Sequence, residues 1–292
     1  MLVSRMDRDC VHGVVARFVG RDARRAVALE SLRGPHVKES IHDQLQLPAA
    51  SLVKLPLASA VYELAAEGEL ALDERVPRSD VGRTAYPSIL ELFSPDHSFS
   101  IGELCGLMLA TSDNPTSQYL LDRVGLDRVN AEAQRLGATN TRMVVGFRDE
   151  FLGDQGRSNV TTATDVLVIL KAFVSKTAYS PLMSALQNSV RNFRIPLRLP
   201  DTLVVAHKTG SLLGVAVDAG IVFGGEVDLA VVFLADRQSD TALTNVAIGD
   251  CMALIWDCLG EEVASLPVEP QAHTTLGSGS SGKVVLTDET TQ

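Results

Sequence analysis

Residues 203–233 read LVVAHKTGSLLGVAVDAGIVFGGEVDLAVVF. Apolar side chains recur there with period two, through Leu203-Val205, Val215-Val217-Ala219-Ile221-Phe223 and Val227-Leu229-Val231-Phe233, with Gly224-Gly225 as a turn. The alternation predicts an antiparallel meander. Downstream, Thr241 to Leu259 places Ala247, Cys251, Leu254 and Cys258 on one helical face, with Gly260 as C-cap, so a terminal helix is expected to pack on the sheet. Upstream, the β-rich run AVALES within Arg24 to Ser31, followed by Gly34-Pro35, predicts a hairpin.

Between these ends the period changes. Ser51 is followed by LVKLPLASAVYELAAEGEL, with Leu52, Leu55, Tyr62 and Ala66 at helical spacing and Gly68 at the close. A second helix is expected from Ser100, an N-cap with Glu103 completing a capping box, to about Thr111. Helical patterns continue over Thr116 to Val124, Leu126 to Leu136 and Thr164 to Phe173, with a polar loop from Asp149 to Asn159. The fold class is therefore α/β (α+β). The two β-rich ends most economically share one antiparallel sheet, and the helices between them form an inserted all-helical lobe. This gives one catalytic domain over 1–264, with a sheet lobe of about 1–50 and 200–264 and a helical lobe of about 51–199. Residues 265–292, rich in Gly, Ser and Thr, are expected to be a disordered tail. The cleft between the lobes is the default site.

With 292 residues, 46% hydrophobic and 21% charged, the chain is neither disordered throughout, collagenous nor a coiled coil. A net charge of -10 makes nucleic acid and anionic membranes poor partners and leaves a small molecule as the expected one. Cys10, Cys105, Cys251 and Cys258 form no CxxC pair and no metal-ligand spacing, so no metal or cofactor is expected. The N-terminal residues carry no signal-type apolar core and no stretch approaches a membrane span, which points to the cytoplasm and reduced thiols. The oligomeric state stays open.

Three motifs fall at the junctions of these segments: Ser51-Leu-Val-Lys54, Ser112-Asp113-Asn114 and Lys208-Thr209-Gly210. An SxxK arises by chance in most chains of this size, and Ser280-Ser-Gly-Lys283 is such a case; all three motifs in order at element boundaries are far harder to obtain. Ser51 and Lys54, three apart, lie on one helical face, so the amine can reach the hydroxyl. Lys54 can serve as a base only if burial or a neighbouring cation lowers its pKa, and Lys208 is a candidate for that cation. Ser112 and Asn114 sit past a helix end, free to point across a cleft. Gly210 permits close backbone approach, so that Ser211 N–H can join Ser51 N–H around an oxyanion. His207 alternates to the other face from Lys208 and reads as a structural histidine. The tail segment Gly277 to Val284 resembles a phosphate-binding loop without its terminal Ser/Thr or its preceding strand, and carries no nucleotide site.

Together these residues resemble the class A β-lactamase-like serine hydrolases, within the β-lactamase and penicillin-binding protein superfamily, over roughly residues 25 to 262. The likeness extends to LPAASLVKLPLASAVYELAAEGEL, SILELFSPDHSFSIGELCGLMLATSDN, LGATNTR, NVTTATD and AHKTGSLLGVAVDAGIV. It implies a β-lactamase/transpeptidase-like fold with terminal helices flanking the sheet. It further implies Ser51 as acylated nucleophile, Lys54 as its base, Ser112 as proton relay, Asn114 as polar contact, and Lys208 with Thr209 as binders of a substrate carboxylate. One departure matters: the glutamate that in the family activates the deacylating water is expected at or near Phe147. Asp149, Glu150 and Asp154 are the nearby carboxylates, with Asp149 and Glu150 the candidates for a relocated base. The resemblance implies a hydrolase or acyltransferase acting on a small ester, amide or lactam; true penicillin hydrolysis and a non-catalytic binding protein on the same fold are the alternatives.

Overall fold

The computed structural model describes residues 8–21, 24–148 and 158–260. Helix α1 (Arg8–Val19) leads into β1 (Arg25–Arg33), β2 (Lys38–Ile41) and the short β3 (Leu47–Pro48). A 3-10 turn, Ala50–Val53, then opens α2 (Lys54–Ala66). The inserted region continues through β4 (Arg75–Pro77), β5 (Ser98–Ser100), α3 (Ile101–Thr111), α4 (Asn114–Val124), α5 (Leu126–Arg135), β6 (Val160–Thr161), α6 (Ala163–Ser175) and α7 (Ser180–Gln187). A 3-10 turn, Ile195–Arg198, precedes β7 (Val204–Leu212), β8 (Val215–Phe223), β9 (Asp228–Ala235) and α8 (Thr241–Cys258).

The main sheet is antiparallel with strand order β2-β1-β9-β8-β7, so the N-terminal hairpin closes on the C-terminal meander, as the sequence predicts. Val27 pairs with Phe233 and Leu29 with Val231 across that seam. Strand alternation divides the interior into two cores. Val217, Ala219 and Ile221 face the helical lobe with Leu52, Leu55 and Val61, whereas Val222, Leu229, Val231 and Phe233 face α1 and α8 with Val15, Ile255 and Trp256. With both faces covered, β8 is buried along nearly its whole length. Edge strand β7 is left beside the mouth of the helical lobe, and the turn before α2 packs against it.

Helix α2 is apolar around its circumference and runs through the centre of the lobe, burying Leu55, Leu57, Ala58, Ala60 and Val61. Helix α3 begins with the expected capping box between Ser100 and Glu103. Several local features differ from the sequence reading. Ser51 lies inside the 3-10 turn and does not cap α2, whose N-cap is Val53. Helix α4 starts two residues earlier than the pattern suggests, because Asp113 accepts the Thr116 N–H as an N-cap. Leu254 points to solvent, 42% exposed, while Ile255 and Trp256 fill the core. The inserted lobe also carries two short ladders, β3 with β6 and β4 with β5.

The thiols require a larger correction. Cys10 of α1 and Cys258 of α8 form a disulfide, with Cα atoms 5.8 Å apart, so the expectation of reduced thiols fails for this pair. The two helices lie side by side behind the sheet, a proximity that a separation of 248 residues conceals. Cys105 and Cys251 are free and buried. No single helix among the described residues is long and apolar enough to cross a membrane. The expected tail, 265–292, lies outside the described residues.

Candidate active site

Three segments converge where α2 begins: the turn carrying Ser51, the α3–α4 junction and the middle of β7. The approach is close, because a Cβ on Gly210 would lie 2.8 Å from Ser51 N and 2.9 Å from Ala50 Cβ. Only a residue without a side chain lets the strand reach the Ser51 turn. Two non-glycine residues here adopt left-handed backbone, Ala50 with φ +45° beside Ser51 and Ser112 with φ +62° at the end of α3. Such conformations are costly for residues with a Cβ and persist where surrounding packing over-determines them.

Lys54 is fully buried at the start of α2. Its Nζ donates to Ser112 O at 2.8 Å and Asn114 Oδ1 at 2.8 Å, and lies 3.2 Å from Ser112 Oγ. Burial, reinforced by the positive charges of Lys208 and Arg191 and opposed by Asp113, holds its pKa well below the ordinary lysine value. A neutral amine has two N–H donors, which Ser112 O and Asn114 Oδ1 satisfy. Its lone pair is then available to a neighbouring hydroxyl. The Phe147 ring centroid lies 4.8 Å from the same nitrogen and helps to close the pocket over it. Asp113, 5% exposed, points away from this chemistry, accepting from Ile89 N, Thr116 N and Thr116 Oγ1 to brace the junction.

Lys208 sits in mid-strand on edge strand β7 and is 1% exposed, so its charge is not a solvated edge charge. Burial lowers its pKa to about 7, with Asp218 opposing and Arg191 and Arg194 assisting the fall. Thr209 is also buried. Sequence reasoning missed Arg194, a buried guanidinium that donates to Gly210 O at 2.9 Å, Val217 O at 2.7 Å and Ser211 Oγ at 2.6 Å. It thereby fixes the strand segment and the serine next to Gly210. Its only sequence signal was the arginine-rich stretch RNFRIPLR, whose spacing does not indicate which arginine turns inward. His207 is a packed residue, hydrogen-bonded to Asp218 and Asn192.

The structure brings Ser51, Lys54, Ser112, Asn114, Lys208 and Gly210 together, and Thr209 and Ser211 flank Gly210 on β7 with Ser211 Oγ held by Arg194. Asp149 and Glu150 lie outside the described residues. Among the described residues, no group of three or more His, Cys, Asp and Glu side chains gathers to hold a metal ion. A serine hydroxyl on the turn that leads into a buried amine of lowered basicity is an arrangement that can support nucleophilic chemistry.

The family model described as the beta-lactamase enzyme family matches residues 18–259. The chain belongs to that family. As a beta-lactamase-family serine hydrolase it is 22% identical over 240 residues to Beta-lactamase VEB-1 of Pseudomonas aeruginosa, covering 74% of this chain and 79% of that protein. Among solved structures, the beta-lactamase from Sphaerobacter thermophilus superposes with TM-score 0.74 at 24% identity, covering 87% of this chain and 97% of that one. TLA-3 extended-spectrum beta-lactamase gives 0.76 at 21%, with 86% and 98% covered. An acyl-enzyme complex of a PBP-A mutant with penicillin G gives 0.75 at 19%, with 90% and 100% covered. The expected β-lactamase/transpeptidase-like fold is the fold observed.

Proposed function

We propose that this beta-lactamase-family hydrolase forms an acyl-Ser51 intermediate on a small carboxylate-bearing ester, amide or lactam. The observation that carries the proposal is the buried Lys54 amine, held by Ser112 O and Asn114 Oδ1 next to the Ser51 turn with its basicity lowered. In acylation, Ser51 Oγ attacks the carbonyl carbon while its proton passes to Lys54 Nζ. The N–H groups of Ser51 and Ser211 receive the oxyanion. The carbonyl–nitrogen or carbonyl–oxygen bond then breaks, and Ser112 Oγ relays the proton from Lys54 to the leaving atom. Lys208 and Thr209 hold the substrate carboxylate, with Arg194 setting the strand behind them.

Deacylation adds water, or another nucleophile, to the Ser51 ester and returns the proton to the enzyme. Phe147 stands against Lys54 where the family's water-activating glutamate is expected. A placed general base contributes about 10² to 10⁴ in rate, so for β-lactams acylation should outrun release. Penicillin should leave a persistent adduct on Ser51 by intact-protein mass spectrometry, and small esters should turn over. Rapid, adduct-free hydrolysis would instead favour true β-lactamase activity with Asp149 or Glu150 as the base. A protein labelled by neither penicillin nor a fluorophosphonate would be a binding scaffold. The Cys10–Cys258 disulfide favours an oxidising compartment over the cytoplasm expected from the sequence.

A further inference from the structure

The side of α4 that offers Asn114 to Lys54 also fixes an aromatic ring against the same amine. Asn114, Gln118 and Asp122 follow one another at four-residue steps along α4 and so share one face of the helix. Asn114 Oδ1 accepts from Lys54 Nζ at 2.8 Å. One turn on, the buried Gln118 accepts the Phe147 N–H at 2.7 Å and donates from Nε2 to Asp122 Oδ1 at 2.8 Å. Asp122 Oδ2 in turn takes the Arg148 guanidinium at 2.7 Å. The approach is tight, since a Cβ on Gly146 would lie 2.5 Å from Gln118 Oε1. From the other side, Asn159 Oδ1 accepts the N–H groups of Val144 and Val145. With 144–148 held in this way, Lys54 Nζ stands over the Phe147 ring, 4.8 Å from its centroid.

An aromatic face carries partial negative charge, and its attraction for a cation is largest where water is excluded. Lys54 is fully buried, and its hydrogen-bond partners, Ser112 O, Ser112 Oγ and Asn114 Oδ1, are uncharged. Lys208 on β7 and Arg191 before it add positive charge, while Asp113 at the α3–α4 junction acts through space, its oxygens committed to Ile89 and Thr116. A carboxylate in place of the ring would favour the resting ammonium by a full charge. The ring attracts it more weakly, so the amine rests neutral. The positive charge that arrives with the Ser51 proton then meets a π face already in place. An interaction that strengthens only as charge develops accelerates the step.

We propose that Phe147 is a catalytic residue for acylation: the face of its ring stabilises the ammonium that forms on Lys54 as it takes the Ser51 proton, and Gln118 is the positioning residue that holds the ring there. This rests on the reading of Lys54 as the base. It gives the residue at the expected glutamate position a part in forming the acyl-enzyme, and one face of α4 then sets both the amine and the ring.

The test replaces Phe147 in the full chain by mono-, di- and trifluorophenylalanine, which keep the shape of the ring and progressively drain its face of negative charge. Labelling of Ser51 by a fluorophosphonate is followed against pH; the Ser51 proton passes to Lys54, Oγ bonds to phosphorus and fluoride leaves. The rate at the pH optimum should fall stepwise, by roughly 2- to 30-fold across the series, and its acid limb should move to lower pH. A rate and limb indifferent to fluorination would overturn the role of the ring. Gln118→Ala should lower the rate by itself and flatten the response to fluorination, because a ring released from α4 no longer faces the amine. An undiminished response in that variant would overturn the positioning role. Should the trifluorinated chain fail to fold, the mono- and difluorinated forms carry the slope. Lys54→Ala separates this inference from the reading beneath it. Labelling that survives Lys54→Ala defeats the base assignment and the inference with it. Labelling that is lost there but indifferent to fluorination defeats this inference alone.

Discussion

At Ser51, the proposed nucleophile, a single oxygen distinguishes the residue from alanine. Ser51→Ala should abolish covalent labelling and turnover while changing stability by less than about 1 kcal/mol, because the side chain is small and half-buried. Retained turnover in purified protein would exclude Ser51 as nucleophile. Lys208 behaves in the opposite way. Its folded pKa of about 7 lies far below that of an unfolded lysine, so between those values the unfolded chain binds more protons and stability rises with pH. Buried Lys54 acts in the same direction. Lys208→Met should therefore raise the melting temperature at pH 7, by a few kcal/mol equivalent, and flatten the rise in stability between pH 7 and 10. A variant less stable than wild type at pH 7 would show that the lysine is not a stored cost. Ser51, Lys54, Ser112 and Lys208 could be picked out of the sequence because their types and spacings are rare in combination. Phe147 was legible only as a missing glutamate, and Arg194 was not legible at all, since nothing local tells which of several arginines is buried.

Elements place these residues, and β7 makes the tightest contact. Adding a methyl group at Gly210 sets it against Val217 Cγ2 at 2.7 Å as well as the Ser51 backbone, so Gly210→Ala must push the strand and the Ser51 turn apart. The acylation rate should fall by roughly 10²-fold or more, as expected for a displacement of about 1 Å at a reacting centre. Stopped-flow acylation with a fluorescent penicillin tests this, and an unchanged rate would mean that the strand does not locate the turn. The strands and most helices followed from periodicity, because a buried face must repeat with the element's own period. Starts and ends drifted where capping decided them. Asp113 drew α4 back to Asn114, and the tight 3-10 turn at Ala50–Val53 moved Ser51 out of the helix proper.

Across the whole molecule, the Cys10–Cys258 disulfide joins the first and last described helices and closes nearly the full chain. A disulfide typically contributes about 2 to 4 kcal/mol, so reductant or Cys258→Ser should lower the melting temperature by roughly 5 to 15 °C. Esterase activity below the transition should stay intact, since the bridge lies on the α8 side of the sheet, away from the helical lobe. An unchanged melting curve in reductant would show that the packing of α1 on α8 needs no covalent tie. The sequence by itself determined the meander, the helical insertion, the sheet shared by the two chain ends and the three motifs, because alternation, capping and motif spacing are local and written in consecutive residues. Tertiary structure alone decided the Cys10–Cys258 pairing, the inward turn of Arg194 and the burial that lowers the pKa of Lys54 and Lys208. These depend on groups far apart in the chain brought together by a sheet with both faces covered, and desolvation and Coulomb interaction respond to distance in space.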